Sequence, residues 1–259
     1  MELFSYEQIS GLNSGEFRVY NYVATHMRKA SEMNIRELAA ASEVSTTTVL
    51  RFCSKIGCEG YTEFKYRMRK NLEKEGQEKN SAGNLASVVP AIQFLQKSLD
   101  SRKLKIKLEE AAKICVQAGR VLVFGAGTSG YLAEYGAHFL ASTGLDASAM
   151  ADLFYPLPTV GPKVMAVLVL SVSGETGPMI HQIDMCRKRG ARIISITNTD
   201  QCTAAKMSDI NFPYYMPLAY SVQDNGVQTA LTTQIPVVFL LEALTGMIYE
   251  KMKEKNKED

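Results

Sequence analysis

Val121-Leu-Val-Phe-Gly-Ala-Gly-Thr-Ser-Gly130 decides the fold. Four large apolar residues in succession read as a strand buried on both faces, and the glycine turn after them opens a helix near Ser129. Outward from this stretch, short β-branched runs alternate with helical patterns, which is the mark of a parallel α/β sheet. Ala147 to Met150 reads as a weaker second strand, Val164 to Leu170 as a third, Arg192 to Thr197 as a fourth and Ile210 to Phe212 as a short fifth. Helices fit between them, Ser129 to about Ser142 stopped by Gly144, and Pro178 to Arg189 stopped by Gly190. A last helix, roughly Leu231 to Lys253, packs its apolar face on the sheet. The expected fold is a three-layer α/β domain with helices on both faces of a parallel sheet, preceded by an all-α bundle.

Two loops in this region have the chemistry to hold a phosphate. Gly125-Ala-Gly-Thr-Ser-Gly130 matches G-x-G-x-x-G, so a nicotinamide or flavin site has to be weighed, with Asp152 roughly placed for a ribose hydroxyl. Ser171-Val-Ser-Gly-Glu-Thr176 follows the third strand and precedes the helix at Pro178. Its hydroxyls and glycine at a helix N-terminus make an anion cradle, which a dinucleotide fold does not need at this point. The pair of loops favours a phosphorylated small molecule held between adjacent strand ends, with no cofactor expected.

The N-terminal third is helical. Ile35, Leu38 and Ala39 form one apolar stripe, and Val49, Phe52, Cys53 and Ile56 form another, separated only by Ala41-Ser-Glu-Val44. Ser45 suits the cap of the second helix, and the pair reads as a helix-turn-helix. Thr46, Thr47, Thr48, Arg51 and Lys55 lie on its outer face or leading turn, where short hydroxyls allow close approach to base edges. From Ser45 to Lys70 six basic residues (Arg51, Lys55, Lys65, Arg67, Arg69, Lys70) face two acidic ones (Glu59, Glu63), a local charge of +4. Such a patch suits duplex phosphates.

The bulk numbers agree with two ordinary domains. The chain has 259 residues, 46% apolar and 22% charged, with a net charge of +2 that gives no general attraction to nucleic acid or membrane. Residues 73–84 hold no large apolar side chain and read as a linker. The expected boundaries are 1–76 for the DNA-binding domain, 77–84 for the linker and 85–259 for the α/β domain. Five cysteines (Cys53, Cys58, Cys115, Cys186, Cys202) form no C-x-x-C pair and read as reduced, packed thiols. The N-terminus shows no signal peptide and the apolar runs are too short for a bilayer, so the expected location is the cytoplasm.

Asn34 to Gly57, with Thr48-Val-x-Arg-Phe-Cys53, and Gly60-Tyr-x-x-Phe-Lys65 after it, resemble the DNA-binding domain of the RpiR family of bacterial regulators over residues 12–72. The two loops, with Ile196-Thr-Asn198 and Ala205-x-x-x-Asp-Ile210, resemble the SIS, or sugar isomerase, domain over residues 104–244. The resemblance implies a sugar-phosphate effector held by Gly127, Thr128, Ser129, Ser171, Ser173, Gly174 and Thr176. It implies operator DNA contacted by Ser45, Thr46, Thr47, Thr48, Arg51, Lys55 and Lys65, and a homodimer or homotetramer assembled through the SIS domain. One departure is Thr232-Thr-Gln-Ile235, where many relatives carry an arginine; Pro236 follows within the helix pattern. Ser221 to Thr229 is polar and reads as a lid.

SIS domains also serve aldose–ketose isomerases, whose chemistry needs a base beside the acidic C–H and an acid for the carbonyl oxygen. Glu134 and His138 stand at i, i+4 and read as the cover of a helix face, Glu175 reads as solvent-facing, and His26 and His181 show no partner. No metal-ligand cluster is evident. A DNA-binding module has no use in an isomerase, so the reading is a regulator of sugar or amino-sugar metabolism, with isomerase as the alternative.

Overall fold

The computed structural model describes residues 4, 6–78, 88–154, 165–218, 220–222 and 228–258. The chain divides into two compact units, one of Met1–Phe94 with Tyr215–Thr233, the other of Leu95–Tyr214 with Gln234–Asp259.

The first unit carries α1 (Tyr6–Ser10), α2 (Ser14–Thr25), α3 (Met27–Glu32), α4 (Ile35–Ala41), α5 (Thr46–Lys55) and α6 (Tyr61–Glu78). Local chemistry starts these helices. Asn13 and Glu16 form a capping box at α2, Asn34 and Glu37 form another at α4, and the Ser45 hydroxyl accepts the Thr48 N–H at 3.2 Å to open α5. These contacts satisfy backbone donors that the first helical turn leaves without partners. The core joins Phe17, Tyr20 and Val23 of α2 to Leu38, Val49, Phe52 and Phe64. Phe52 meets Phe64 edge to face at 5.4 Å. The polar stretch read as a linker begins as the last turns of α6, to Glu78, and its remainder from 79 lies outside the described residues. α7 (Val89–Leu99) then carries the chain across the division between units.

The second unit is the parallel α/β domain expected. Its elements are α8 (Arg102–Gln117), β1 (Arg120–Phe124), α9 (Thr128–Ala141), β2 (Ala147–Met150), β3 (Met165–Ser171), α10 (Gly177–Lys188), β4 (Arg192–Thr197), α11 (Thr203–Lys206), β5 (Ile210–Pro213) and α12 (Ile235–Glu258). Strand order is β2-β1-β3-β4-β5, all parallel. Leu122, Phe124, Val167, Val169 and Ile193 bury one face with Met179, Ile183 and Cys186 of α10. The alternating residues Val121, Val123, Leu168 and Ile194 are equally buried; α12 packs on both α8 and α9, and α9 packs on β1, β2 and β3. Strands covered on both faces explain their unbroken apolar sequence.

Three details differ from the sequence reading. The last helix starts at Ile235 rather than Leu231, which puts Pro236 in its first turn, where a missing N–H costs nothing. A one-turn helix, α11, follows β4. Between β5 and α12 the chain rejoins the first unit, where Tyr215, with φ of 50°, packs its ring 5.9 Å from Phe17. Beyond it β6 (Tyr220–Val222) and β7 (Gln228–Ala230) pair antiparallel, framing the stretch read as a lid, whose residues 223–227 lie outside the described ones.

Candidate functional site

The helix-turn-helix forms as the stripes require. Glu43 takes the left-handed conformation, φ 53°, and Val44 N–H donates to the Ala39 carbonyl at 2.9 Å, so the residues from Ser42 to Ser45 turn the chain between α4 and α5. Val49, Phe52 and Cys53 then face the core, leaving Thr46, Thr47, Leu50, Arg51 and Ser54 exposed. Thr48 is half-buried and hydrogen-bonds Ser45, so these two hydroxyls serve the helix start.

The basic patch is less free than its count of charges. Lys55 pairs with Glu16 at 2.7 Å, a carboxylate that is almost fully buried, and donates to the Gly11 carbonyl at 2.8 Å. Lys65 donates to the carbonyls of Glu32 and Met33, both at 2.9 Å, at the end of α3. Arg67 is held by Glu63 and the Gly57 carbonyl, and Arg69 by the Ser31 carbonyl. Arg51 is exposed and has no hydrogen bond or ion pair among the described residues. These long-range partners could not be read from helical spacing, which shows a side chain's face but not what folds against it.

In the α/β unit the two loops leave the carboxyl ends of β1 and β3, adjacent strands with Phe124 opposite Val169. The strand order reverses between these two strands, and the crevice at such a switch point is where open α/β sheets bind ligands. In the first loop a Cβ on Gly125 would stand 2.1 Å from the Ser129 carbonyl oxygen, so only glycine lets the loop close on the start of α9. Gly127, φ 55°, is the N-cap of α9 and offers no side chain to its free N–H groups. Thr128 is exposed and Ser129 is buried behind it.

In the second loop the Ser171 hydroxyl accepts the Gly174 N–H at 3.0 Å and the Ser173 hydroxyl accepts the Glu175 N–H at 3.2 Å. Each hydroxyl hydrogen stays available to donate. Gly174 has φ 65°, and a Cβ there would lie 2.2 Å from the Cys202 sulfur. Thr176 is the N-cap of α10 but makes no side-chain cap hydrogen bond, leaving its hydroxyl and the helix N-terminus for an anion.

Glu175 is exposed but tied. Its Oε1 accepts the Thr203 N–H at 2.7 Å and its Oε2 the Thr203 hydroxyl at 2.8 Å, so the carboxylate caps α11 rather than facing open solvent. Glu134 and His138 are exposed on α9. His26, read as partnerless, stacks on Tyr22 at 4.8 Å and its Nδ1 lies 2.8 Å from the Thr25 hydroxyl; His181 is exposed. Asp152 accepts the Phe154 N–H at 2.9 Å within its own turn. Asp209 accepts the Ile193 N–H at 2.7 Å and pairs with Arg192 at 3.0 Å, tying β5 to the start of β4. The Gln234 carbonyl accepts from Val237 and Val238 at the start of α12. All five cysteines are buried free thiols. Among the described residues no group of three or more His, Cys, Asp or Glu is placed to hold a metal, and no helix is long and apolar enough to cross a membrane.

A family model for the helix-turn-helix domain of the rpiR family matches residues 6–75, and a model for the SIS domain matches residues 114–235. The two modules in this order define the class: a helix-turn-helix regulator with an SIS domain. The chain belongs to the RpiR family. It is 25% identical over 255 residues to the transcriptional regulator HexR of Pseudomonas aeruginosa, covering 93% of this chain and 86% of that one. It is 26% identical over 258 residues to the regulator YbbH of Bacillus subtilis, covering 93% and 87%. Among solved structures it is similar to the Vibrio vulnificus NanR protein complexed with ManNAc-6P, with a TM-score of 0.55, 20% identity and coverage of 96% and 94%. The sugar isomerase domain of an RpiR transcription factor from Sphaerobacter thermophilus gives a TM-score of 0.52 at 17% identity, over 67% of this chain and 93% of that one.

Proposed function

We propose that this protein is a cytoplasmic transcriptional regulator whose affinity for operator DNA is set by a sugar phosphate bound at the loops after β1 and β3. The observation that carries the reading is the convergence of those loops, each opening a helix, on the switch point of the sheet. The N-termini of α9 and α10 supply positive dipole ends, and Thr128, Ser129, Ser171, Ser173 and Thr176 supply hydroxyl donors. Gly127, with open space where a Cβ would stand, lets the backbone approach the phosphate closely, and Gly174 lets the second loop close on Cys202. The bound ligand of NanR, a sugar phosphate, supports the ligand class. On the DNA side, Thr46, Thr47 and Arg51 form the reading face, Ser45 and Thr48 set the start of the helix, and Lys55 and Lys65 add charge while serving as internal props.

Regulation then needs two states that the ligand binds unequally. In a homodimer or homotetramer held by the SIS domain, a change in subunit orientation alters the spacing of the DNA-binding domains, with a coupling of about 1–3 kcal/mol. The proposed boundaries are 1–76 for DNA binding and 85–259 for the sensor. The isomerase alternative needs a free base at the loops, and Glu175 is engaged with both oxygens on Thr203.

The test is a thermal-shift screen of the full chain against hexose, pentose and hexosamine phosphates and amino-sugar acid phosphates, followed by operator binding with and without the ligand found. The double variant Ser173→Ala, Thr176→Ala should lose the shift and keep DNA binding. A normal response from that variant would place the ligand elsewhere, and turnover of the ligand would favour the isomerase.

A further inference from the structure

Besides the residues assigned to DNA above, α5 exposes the large apolar side chain of Leu50. Val49, Phe52 and Cys53 of α5 are fully buried and Ile56 after it nearly so, which closes the core without help from the opposite face. On that opposite face stand Thr46, Thr47, Arg51 and Ser54, and in their midst Leu50, 47% exposed. Leu50 is the one large apolar side chain of the helix-turn-helix, Ile35 to Lys55, that is left exposed among the described residues. It lies three residues after Thr47 and four after Thr46, hence one turn along the same face, and beside Arg51.

The chemistry around it selects the partner. α5 contains no acidic residue, and Leu50 is bordered by threonine methyls and hydroxyls and by an unpaired guanidinium. A polyanion fits that border better than an apolar protein surface. In the major groove of a duplex the large apolar group that base edges present is the thymine 5-methyl. We propose that Leu50 is a specificity-determining residue that packs on a thymine methyl in each operator half-site, next to the base or phosphate taken by Arg51. The proposal rests on the DNA-binding reading above. It assigns Leu50 to recognition, where burial of its side chain against the methyl is gained only on the correct base.

The experiment uses the full chain and duplexes enriched by it from a random-sequence pool. Each thymine in the enriched site is replaced in turn by deoxyuridine, which removes the methyl and nothing else. At one thymine per half-site, affinity should fall about fourfold, the ratio expected from one buried methyl-sized group. Leu50→Ala should bind the thymine and uracil duplexes equally, and Leu50→Gln likewise; a general folding defect would lower both affinities without changing their ratio. Wild type indifferent to every such replacement would overturn the assignment, as would a Leu50→Ala that keeps the full preference for thymine. Enrichment of no duplex at all would overturn the DNA-binding reading itself, and this assignment with it.

Discussion

The carboxylate of Glu175 takes both hydrogen bonds that Thr203 offers, from its backbone N–H at 2.7 Å and its hydroxyl at 2.8 Å. One residue of the proposed phosphate loop thereby fixes the start of α11, and α11 in turn returns the Ala204 N–H to the Gly174 carbonyl at 3.0 Å. The loop is held in shape before any ligand arrives.

Glu175→Ala should loosen that clasp and weaken sugar-phosphate binding severalfold, with little loss of global stability because the pair is exposed. Glu175→Gln, which keeps one acceptor, should lie between. Calorimetric titration with the ligand found by screening checks this order; wild-type affinity in Glu175→Ala would remove the clasp from the site.

Gly174→Ala should cost about 2–4 kcal/mol, from a left-handed backbone and an overpacked contact. The added methyl meets the Cys202 sulfur, which cannot retreat because the residue is buried. Adding Cys202→Ala should restore part of the loss, measured by urea unfolding, because the sulfur goes while the strained φ of 65° stays.

Lys55 and Arg51 should separate cleanly in a salt titration of DNA binding. Arg51→Ala should reduce the slope of log affinity against log salt by about one if it contacts phosphate, or relax one base preference if it reads a base. Lys55→Ala should instead lower stability by about 3 kcal/mol, because it leaves the buried Glu16 carboxylate without its cation. The Asn13 N–H, donating to Glu16 at 2.9 Å, then remains as a lesser partner.

Glu43→Gly should stabilise the helix-turn-helix by about 0.5–1 kcal/mol, since glycine adopts φ near 53° without a Cβ conflict and pays back part of that in unfolded-state entropy. Chemical unfolding of both proteins decides it; a destabilised Glu43→Gly would mean that the glutamate side chain contributes to the turn.

Burial pushes the Cys115 thiol up to about 12 from an ordinary 9.0. A raised acid pKa means that the unfolded chain loses this proton first, so the stabilisation is full below about pH 9 and is lost as pH rises toward 12. The difference in unfolding free energy between wild type and Cys115→Ala, measured in reducing buffer, should therefore shrink between those limits. A constant difference would mean the thiol ionises alike in both states.

Strands β1, β3 and β4 were legible in the chain because they are covered on both faces, and that burial demands runs such as Val121 to Phe124 and Met165 to Leu170. The helix-turn-helix was legible because apolar stripes at helical spacing flank a turn too short for anything else. Leu50 carried a signal too, an apolar residue off the buried stripe, but its exposure shows only once Val49, Phe52 and Cys53 are seen to fill the core. The commitments of Lys55 to Glu16, Lys65 to Met33 and Glu175 to Thr203 join residues far apart in the chain, and no local pattern carries them.

What the sequence by itself determined is thus the local part: element type, the caps at Asn13, Asn34 and Ser45, and the two loops that need glycine and hydroxyls. These follow from backbone sterics and from the period of apolar residues, both properties of neighbours. Tertiary structure alone decided which charges on the basic patch stay free, that Gly174 is crowded by Cys202, and that Tyr215 returns to pack on Phe17. It also brought the loops after β1 and β3 side by side, because parallel pairing of distant strands sets that proximity.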